Sequence, residues 1–488
     1  MRLANHTHLY CHPDSPVAYK EGKEKSMALV GYIFNPWNIK QCAYDILSDL
    51  IEEAADFDQL IFLLKPYVGH YALIYIDETH FNVVNDPLAL REIYFVTSEN
   101  LIICGSQPNS ISLYSSPRLP ETRDPVIRRF FLNDMKKVRN RRFWVGDETY
   151  YDGIKHLLPN HYLDVNALKV RRYWPRQKLG RLPLNEVVLR SCAFLKNALK
   201  AASIKNNLMI AVTAGNDSRT LLAASKDISD RIYYFINKQD GMDDDHPDIR
   251  IPKAMFTRIG LPFHIHDVRG SVPDDFRRVF LANTFLSNDL LIETIYNVYY
   301  KNHSHRMNVL GVGEIGRAYF GTSPKSVNGY LLARSLKFKD SRYAVEKCQE
   351  WLDAALPVAR VNGINVMTLL LWEQLLGNWG AVGNSESDIA IEEFDPYDSH
   401  YLYETLLGLD ENYLINDESR LVKEMIKHMW PELLEFPINP PSNKNERLIR
   451  ILKHIGVYSR LKTLTYKIDE MLFNMRRREV AIGEKRKA

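Results

Sequence analysis

Residues 213–218 read Thr-Ala-Gly-Asn-Asp-Ser, set between the apolar run NLMIAV (207–212) and the helix-forming SRTLLAASK (218–226). A strand-to-helix turn of this kind aims free backbone N–H groups and the positive end of a helix dipole at one point, and an anion fills it. Gly215 lets backbone approach closely, and Thr213 and Ser218 offer hydroxyls. Asp217 cannot serve a phosphate directly, because like charges repel. A carboxylate beside a polyphosphate makes sense when a divalent cation lies between them. No Gly-Lys-Ser/Thr follows, so this is not a Walker A loop. Taken alone, the same six residues also read as a tight turn capped by Asp217, with Ser218 opening the helix.

Other residues have weaker chemistry. His264 and His266 alternate on FHIHDV (263–268), so both face one side of a strand. That is metal-ligand spacing without a third ligand nearby. Asp240, Asp243, Asp244, Asp245 and Asp248 cluster before a helix, which helix-terminus electrostatics and solvation largely explain, with a magnesium or substrate-amine role as the alternative. Trp372 and Trp379 fall at helical spacing in LLLWEQLLGNWG (369–380) and read as core packing, with a substrate-pocket wall as the alternative.

The elements that must hold these residues fall into two rhythms. Up to about 175 the chain is β-rich. MALVGYIF (27–34), YALIYID (71–77), FNVVN (81–85), EIYFV (92–96) and LIIC (101–104) are strands, and HYLDV (161–165) with VRRYW (170–174) is a closing hairpin. A helix is expected over 41–57, and RQKLGRLPLNE (176–186) reads as a linker. Thereafter a helix (187–203), NLMIAV, a helix from 218, RIYYFI (231–236), a helix over 246–260, FHIHDV and MNVLGVG (307–313) alternate. That order implies βαβ units and a parallel sheet, with the Thr213–Ser218 turn after its first strand. Pro252 predicts a kink or a late start in the 246–260 helix. From about 330 the pattern is mostly helical.

Composition sets the frame. The chain has 488 residues, 45% hydrophobic and 25% charged, which excludes a disordered, collagen-like or disulfide-scaffold chain. With 63 Lys+Arg against 60 Asp+Glu, it is no dedicated nucleic-acid binder. The five scattered cysteines form no C-x-x-C pair and read as free thiols. No apolar run is long enough to cross a membrane as a helix and no signal peptide opens the chain, so a cytoplasmic address is expected. Arg447–Ala488 carries 12 Lys+Arg and 4 Asp+Glu. This basic tail reads as a solvated helix, with contact to a membrane surface as the other option.

The 213–218 turn resembles the S-G-G-x-D-S pyrophosphate loop of the N-type ATP pyrophosphatases, and specifically of the asparagine synthetase family. Further segments follow in the family's order. Leu157/Leu158, Pro159, Asn160, His161, Tyr173 and Trp174 resemble its L-x-P-G-H…Y-W signature. HPDIRIPKAMFTRIGLPFHIHDV (246–268) resembles the helix and strand after the nucleotide loop. EEFDPYDSHYLYETLLGL (392–409), with Pro396 and Asp398, resembles E-x-R-x-P-F-L-D, and WPELLEFPINPPSNKN (430–445) resembles the stretch that carries a catalytic lysine. The resemblance covers roughly 27–445.

It implies an α/β architecture: an N-terminal amidohydrolase-like β-sandwich (1–178, a degenerate class II glutaminase-like domain), then a doubly wound parallel-sheet ATP pyrophosphatase domain (179–445) with a helical C-terminal part, then a basic helical tail (446–488). It implies a carbon-nitrogen ligase that uses ATP and Mg²⁺ to adenylate a carboxylate before an amine attacks. By resemblance, Thr213, Ala214, Gly215, Asn216 and Ser218 hold the phosphates. Asp217 binds Mg²⁺, the backbone at Phe235 and Ile236 meets adenine, and Lys444 stabilises the transition state. The family's second acidic motif, G-E-G-x-D-E, reads Gly311-Val312-Gly313-Glu314-Ile315-Gly316-Arg317 here. Glu314 is then the remaining metal carboxylate, and Arg317 a phosphate contact; a Gly-rich turn with Glu314 and Arg317 paired is the plain alternative.

The sequence departs from the family in two places. Ala214 puts a methyl where a glycine is usual, which matters if the backbone needs φ > 0. The family's glutaminase nucleophile is a Cys directly after the initiator Met; this chain begins Met1-Arg2-Leu3, and Cys11 lies in a polar extension. Residues 69–96 still resemble that domain's core, with Asp86 in the place of its acid. The expectation is a retained fold without glutamine hydrolysis. The acceptor would be a small-molecule, glycan or peptide carboxylate. The nitrogen would come from ammonia, a partner glutaminase or an amine-bearing substrate, as in the related β-lactam synthetase and lasso-peptide cyclase. A homodimer is compatible with this reading. Two further readings stay open: a pseudoenzyme that binds nucleotide or a partner without turnover, and a nucleotide-modifying pyrophosphatase that binds RNA through the tail.

Overall fold

Two near-continuous apolar runs make the longest strands, β2 (Ser26–Phe34) and β3 (Val68–Ile76), paired antiparallel from Ser26↔Ile76 to Phe34↔Val68. The computed structural model describes residues 1–3, 7–98, 101–115, 118–138, 142–239, 241–287, 291–316, 320, 327–414, 420–441 and 471. Around the β2–β3 pair, β1 (Val17–Glu21), β4 (Phe81–Asn85), β8 (His161–Asp164) and β9 (Lys169–Arg172) complete an antiparallel sheet of order β1-β2-β3-β4-β8-β9. A second antiparallel sheet, order β6-β5-β7, comprises β5 (Tyr94–Ser98), β6 (Leu101–Gly105) and β7 (Lys155–His156).

Runs buried on both faces need cover on both. On one face Leu29, Leu73 and Tyr75 pack with Leu47, Leu50 and Phe57 of the helices α1 (Ala43–Glu53) and α2 (Phe57–Leu63). On the other, Val83 and Leu163 meet Ile93, Phe95 and Leu157 from in and around the smaller sheet. Two short helices, α3 (Pro108–Tyr114) and α4 (Pro125–Arg129), follow the edge strand β6 in the chain.

The second half is built on α5 (Leu184–Ser203) and five parallel strands: β10 (Asn207–Ala211), β11 (Tyr233–Lys238), β12 (His264–Asp267), β13 (Arg306–Val309) and β14 (Glu392–Phe394). Their spatial order is β12-β11-β10-β13-β14 and every pair is parallel. Strand order therefore reverses between β10 and β13, and the crevice beyond the carboxyl ends of those two strands is where such sheets bind ligands. Leu208 and Ile210 face the main core with α5 and α6 (Asn216–Ala224). Met209 faces a second core containing Phe280, Ile295 and Val298, so helices lie on both sides. The protein is thus mixed α/β, with antiparallel and parallel sheets in one chain. No helix among the described residues is long and apolar enough to cross a membrane.

Three expectations are corrected. The helix expected over 41–57 ends at Glu53, because the Asp56 side chain accepts from the Gln59 N–H and starts α2 afresh. The next helix, α7 (Pro247–Ile259), neither starts late nor breaks at Pro252; it opens on Pro247 and ends at Gly260, whose φ is 72°. Trp372 is buried, its indole N–H donating to the Pro87 carbonyl at 2.7 Å, but Trp379 is 39% exposed. Leu370–Gly380 is a π-helix, and its i→i+5 repeat turns position 379 away from the face that an α-helix would share with 372.

Candidate active site

The turn after β10 is knit together by its own hydroxyls. The Thr213 N–H donates to Ser218 Oγ (3.1 Å), the two hydroxyls meet at 3.0 Å, and the Gly215 N–H donates to Thr213 Oγ1 (3.1 Å). Gly215 is the N-cap of α6 with φ −80° and no side-chain cap. Asp217 therefore sits inside the first turn of the helix rather than capping it. Neither Ala214 nor Gly215 has a positive φ, so the methyl of Ala214 meets no backbone strain. The Ala214 N–H is taken by Asp248 Oδ1 (2.9 Å), which brings one member of the acidic cluster from the first turn of α7 onto the loop. The Ala214 carbonyl accepts from the Asn439 N–H (2.8 Å), and Asn439 is left-handed, φ 46°.

The second glycine turn, after β13, lies against the first. A Cβ built on Gly313 would stand 2.8 Å from Asp217 Oδ1, and one on Gly311 would stand 3.4 Å from Asp217 Cβ. Only glycine at 313 leaves the Asp217 carboxylate its place. The turn is pinned from β14's end: Asp395 Oδ2 accepts from Val312 N–H (2.9 Å), Asp395 Oδ1 accepts from Tyr397 N–H (2.9 Å), and Tyr403 donates its hydroxyl to the Val312 carbonyl (3.2 Å). Glu314 follows in a short 3₁₀ turn, Gly313–Gly316, which puts its backbone one residue from the Asp217 contact. The Glu314 side chain, Arg317, Asp240, Lys444 and the basic tail apart from Met471 lie outside the described residues.

Phe235 and Ile236 are buried within β11, in register with His264 and Ile265, and the Phe235 carbonyl already accepts from the Val212 N–H (2.8 Å). His264 and His266 both stack on Tyr233, with ring centroids 4.2 and 5.7 Å away, and the Tyr233 hydroxyl meets His266 Nε2 at 2.9 Å. Burial pushes His266 down to about 4. All five cysteines are free thiols. Asn160 takes a left-handed backbone, φ 67°, and its side chain joins His400 (3.1 Å) to Glu373 (3.2 Å).

Two functional candidates, Arg219 and Asp395, had no visible signal in the sequence, whereas Asp86 and Asp398 were marked there by resemblance alone. Arg219 looks like a solvent-facing helix residue yet is fully buried; it donates to the carbonyls of Phe436 (2.7 Å), Pro437 (3.0 Å) and Leu433 (3.3 Å), and burial lowers it to about 10. Asp395 reads as an ordinary turn residue. Asp86 and Asp398 are both fully buried, and their carboxyls interact with each other. Asp86 also accepts from the Leu90 and Arg91 N–H groups (2.8 and 2.9 Å), and Asp398 from Leu88 N–H (2.8 Å). Burial and the neighbouring Asp86 charge hold the Asp398 carboxyl well above the usual range, which favours one proton shared by the pair. Among the described residues, His70, Asp388 and Glu392 place ligand atoms within 4.8 Å of one another. The Arg91 guanidinium already engages both of those carboxylates, at 3.3 and 3.5 Å, which fills the charge a cation would supply.

No family model matches the chain, and no curated protein matches it. Three solved structures are similar to parts of it. The allosteric regulatory enzyme of purine biosynthesis is 14% identical, covering 47% of this chain and 49% of that one, with a TM-score of 0.21. The glutamine phosphoribosylpyrophosphate amidotransferase of B. subtilis, complexed with ADP and GMP, is 14% identical over 46% and 49%, TM-score 0.21. The NH3-dependent NAD synthetase of Campylobacter jejuni subsp. jejuni, in complex with nitrate, is 11% identical over 42% of this chain and 94% of that one, TM-score 0.21. The chain spans about half the length of the first two. Likenesses this slight carry no argument about activity.

Proposed function

We propose that the protein is an ATP-dependent, AMP-forming carbon-nitrogen ligase of the asparagine synthase-related kind, working at the crevice between β10 and β13. The observation that carries this reading is the meeting of two loops at the strand-order reversal, with Asp217 of the phosphate-type turn held against Gly313 of the second. In the reaction, a carboxylate oxygen bonds to the α-phosphorus of ATP, the Pα–O–Pβ bond breaks and pyrophosphate leaves. An amine nitrogen then attacks the acyl carbon, loses a proton, and AMP leaves.

The chain's own groups have distinct tasks. The N-terminus of α6 and the Thr213 and Ser218 hydroxyls bind the polyphosphate, and the glycine turn 311–313 holds Asp217 beside it. Asp395 fixes that turn by its bond to Val312. Asp217 would hold Mg²⁺, its carboxylate being the hard-oxygen donor such an ion takes, with Glu314 on the adjoining turn; the ion, when bound, offsets charge on the leaving pyrophosphate. The antiparallel half acts as a positioning domain, and the nitrogen comes from ammonia, a partner or an amine-bearing acceptor.

A second reading is nucleotide binding without turnover: the Thr213, Ala214 and Gly215 N–H groups are all taken up within the protein, so the loop offers the leaving pyrophosphate fewer donors than the reaction would use. ATP–pyrophosphate exchange separates the two. Labelled pyrophosphate entering ATP with Mg²⁺ and a panel of carboxylates supports the ligase. Tight Mg·ATP binding with no exchange from any carboxylate, and no product when amines are added, supports the second reading.

A further inference from the structure

Arg219 is the least expected residue near the loop. It is the largest of the fully buried side chains after the two tryptophans, and among the described residues its hydrogen-bond acceptors are all backbone carbonyls. Among the described residues its Nε has no partner. Burying a guanidinium without a carboxylate is costly, and an apolar side chain would pack α6 at no such cost. What an apolar residue lacks is the planar fork that grips several acceptors at once. All three acceptors belong to one short segment, Leu433, Phe436 and Pro437, which starts within the 3₁₀ turn Pro431–Glu435 and runs on beyond it. Two residues on, the left-handed Asn439 bonds to Ala214 of the loop itself. The 433–439 segment is therefore tied at one end to α6 and at the other to the turn before α6.

We infer that Arg219 is a positioning residue for the anion site: it holds the 433–439 segment as a strap across the 213–218 loop, so phosphate affinity depends on a side chain buried beyond reach of the ligand. This rests on the nucleotide reading of the loop. Two consequences follow from the geometry. The strap closes over the loop from the side of α6, and the buried positive charge lies within a turn of the helix end that would face the phosphates.

Hydrogen–deuterium exchange and calorimetry on the full chain test it, with inorganic pyrophosphate and Mg²⁺ as the probe. Arg219→Lys keeps the charge and loses the fork; Arg219→Met loses both. In both variants the peptide spanning 433–439 should exchange at least tenfold faster while β10 is unchanged. The pyrophosphate Kd should rise about fivefold in the lysine variant and more in the methionine variant. In wild type, pyrophosphate should slow strap exchange, as linkage requires. If either variant fails to fold, the other still decides. Unchanged strap exchange in a folded variant overturns the clamp. A loosened strap with unchanged pyrophosphate affinity overturns the positioning role and leaves a packing role only. A wild type that binds neither pyrophosphate nor ATP overturns the nucleotide reading itself, a result distinct from equal binding by wild type and Arg219→Lys.

Discussion

Replacing Gly313 by alanine should damage the site through one methyl group. The new Cβ would lie 2.8 Å from Asp217 Oδ1 and 3.3 Å from the Tyr397 ring, against an ordinary contact of 3.4 Å or more. Relief needs a shift of about half an ångström. Backing away is opposed on the turn's side, because Val312 is held by both Asp395 and Tyr403. The Asp217 carboxylate must then rotate off. Overpacking of this kind costs about 1–3 kcal/mol. Displacing the proposed metal carboxylate should weaken Mg·ATP binding at least tenfold, about 1.4 kcal/mol. The control is Gly383→Ala in the helix Ala381–Ser387, where an added Cβ meets nothing within 4 Å and should stabilise by about 0.4–1 kcal/mol. Thermal unfolding and calorimetric titration of Mg·ATP read both effects. Equal Mg·ATP affinity in the two variants would refute the claim that Gly313 keeps Asp217 in place.

Three further outcomes are expected. Arg172→Met leaves Glu373 buried without its cation, although Trp351 (2.9 Å) and Asn160 (3.2 Å) still donate to it; denaturant unfolding should show a loss of about 3–5 kcal/mol, partly recovered when Glu373 is also made apolar. Burial pushes Glu393 up to about 8 and Glu92 to about 7, and drives His156 down to about 4 and His400 to about 3. The raised carboxyls keep protons that the unfolded chain has lost, so their contribution fades as pH climbs from about 5 through the folded values. The depressed histidines contribute above about 6.5 and lose that as pH falls. Stability should therefore peak near pH 6–7, and Glu393→Gln should flatten the alkaline limb by up to about 1.4 kcal/mol per pH unit; an unchanged limb would contradict the assignment. Asp398→Asn supplies permanently the donor that Asp398 offers Asp86 only when protonated, so the variant should match wild type at pH 5.5 and exceed it at pH 8 in the same measurement, whereas equal destabilisation at both values would remove the shared proton.

The candidate site was legible where chemistry is local and hidden where it is not. The change of period at 207–226, with Gly215 at the break, was enough to read β10, its turn and α6. The pairing of Asp217 with Gly313 depends on which strands become neighbours, and strand order is fixed by helix packing on two faces rather than by any residue in either loop. Arg219 and Asp395 were invisible for a related reason: each acts on backbone from a distant segment, and composition carries no trace of that. Local readings failed where tertiary packing overrode propensity, as at Trp379, where the π-helix rotates the face. They also failed where a single cap decides, as at Asp56. Pro252 sits in a helix because α7 starts early enough for the helix to be established before the missing N–H.

The central claim is adenylation at the Asp217 loop, and pyrophosphate release tests it most directly. Wild type and Asp217→Ala would be given ATP, Mg²⁺ and a carboxylate panel, with ammonia, glutamine or an amine-bearing extract as nitrogen source. The account predicts release by wild type with at least one carboxylate, a hundredfold or greater loss in Asp217→Ala, and no dependence on glutamine when ammonia is present. Release that survives in the variant would contradict the assignment of the site. No release from any mixture by a wild type that binds Mg·ATP would contradict the ligase and leave nucleotide binding without turnover.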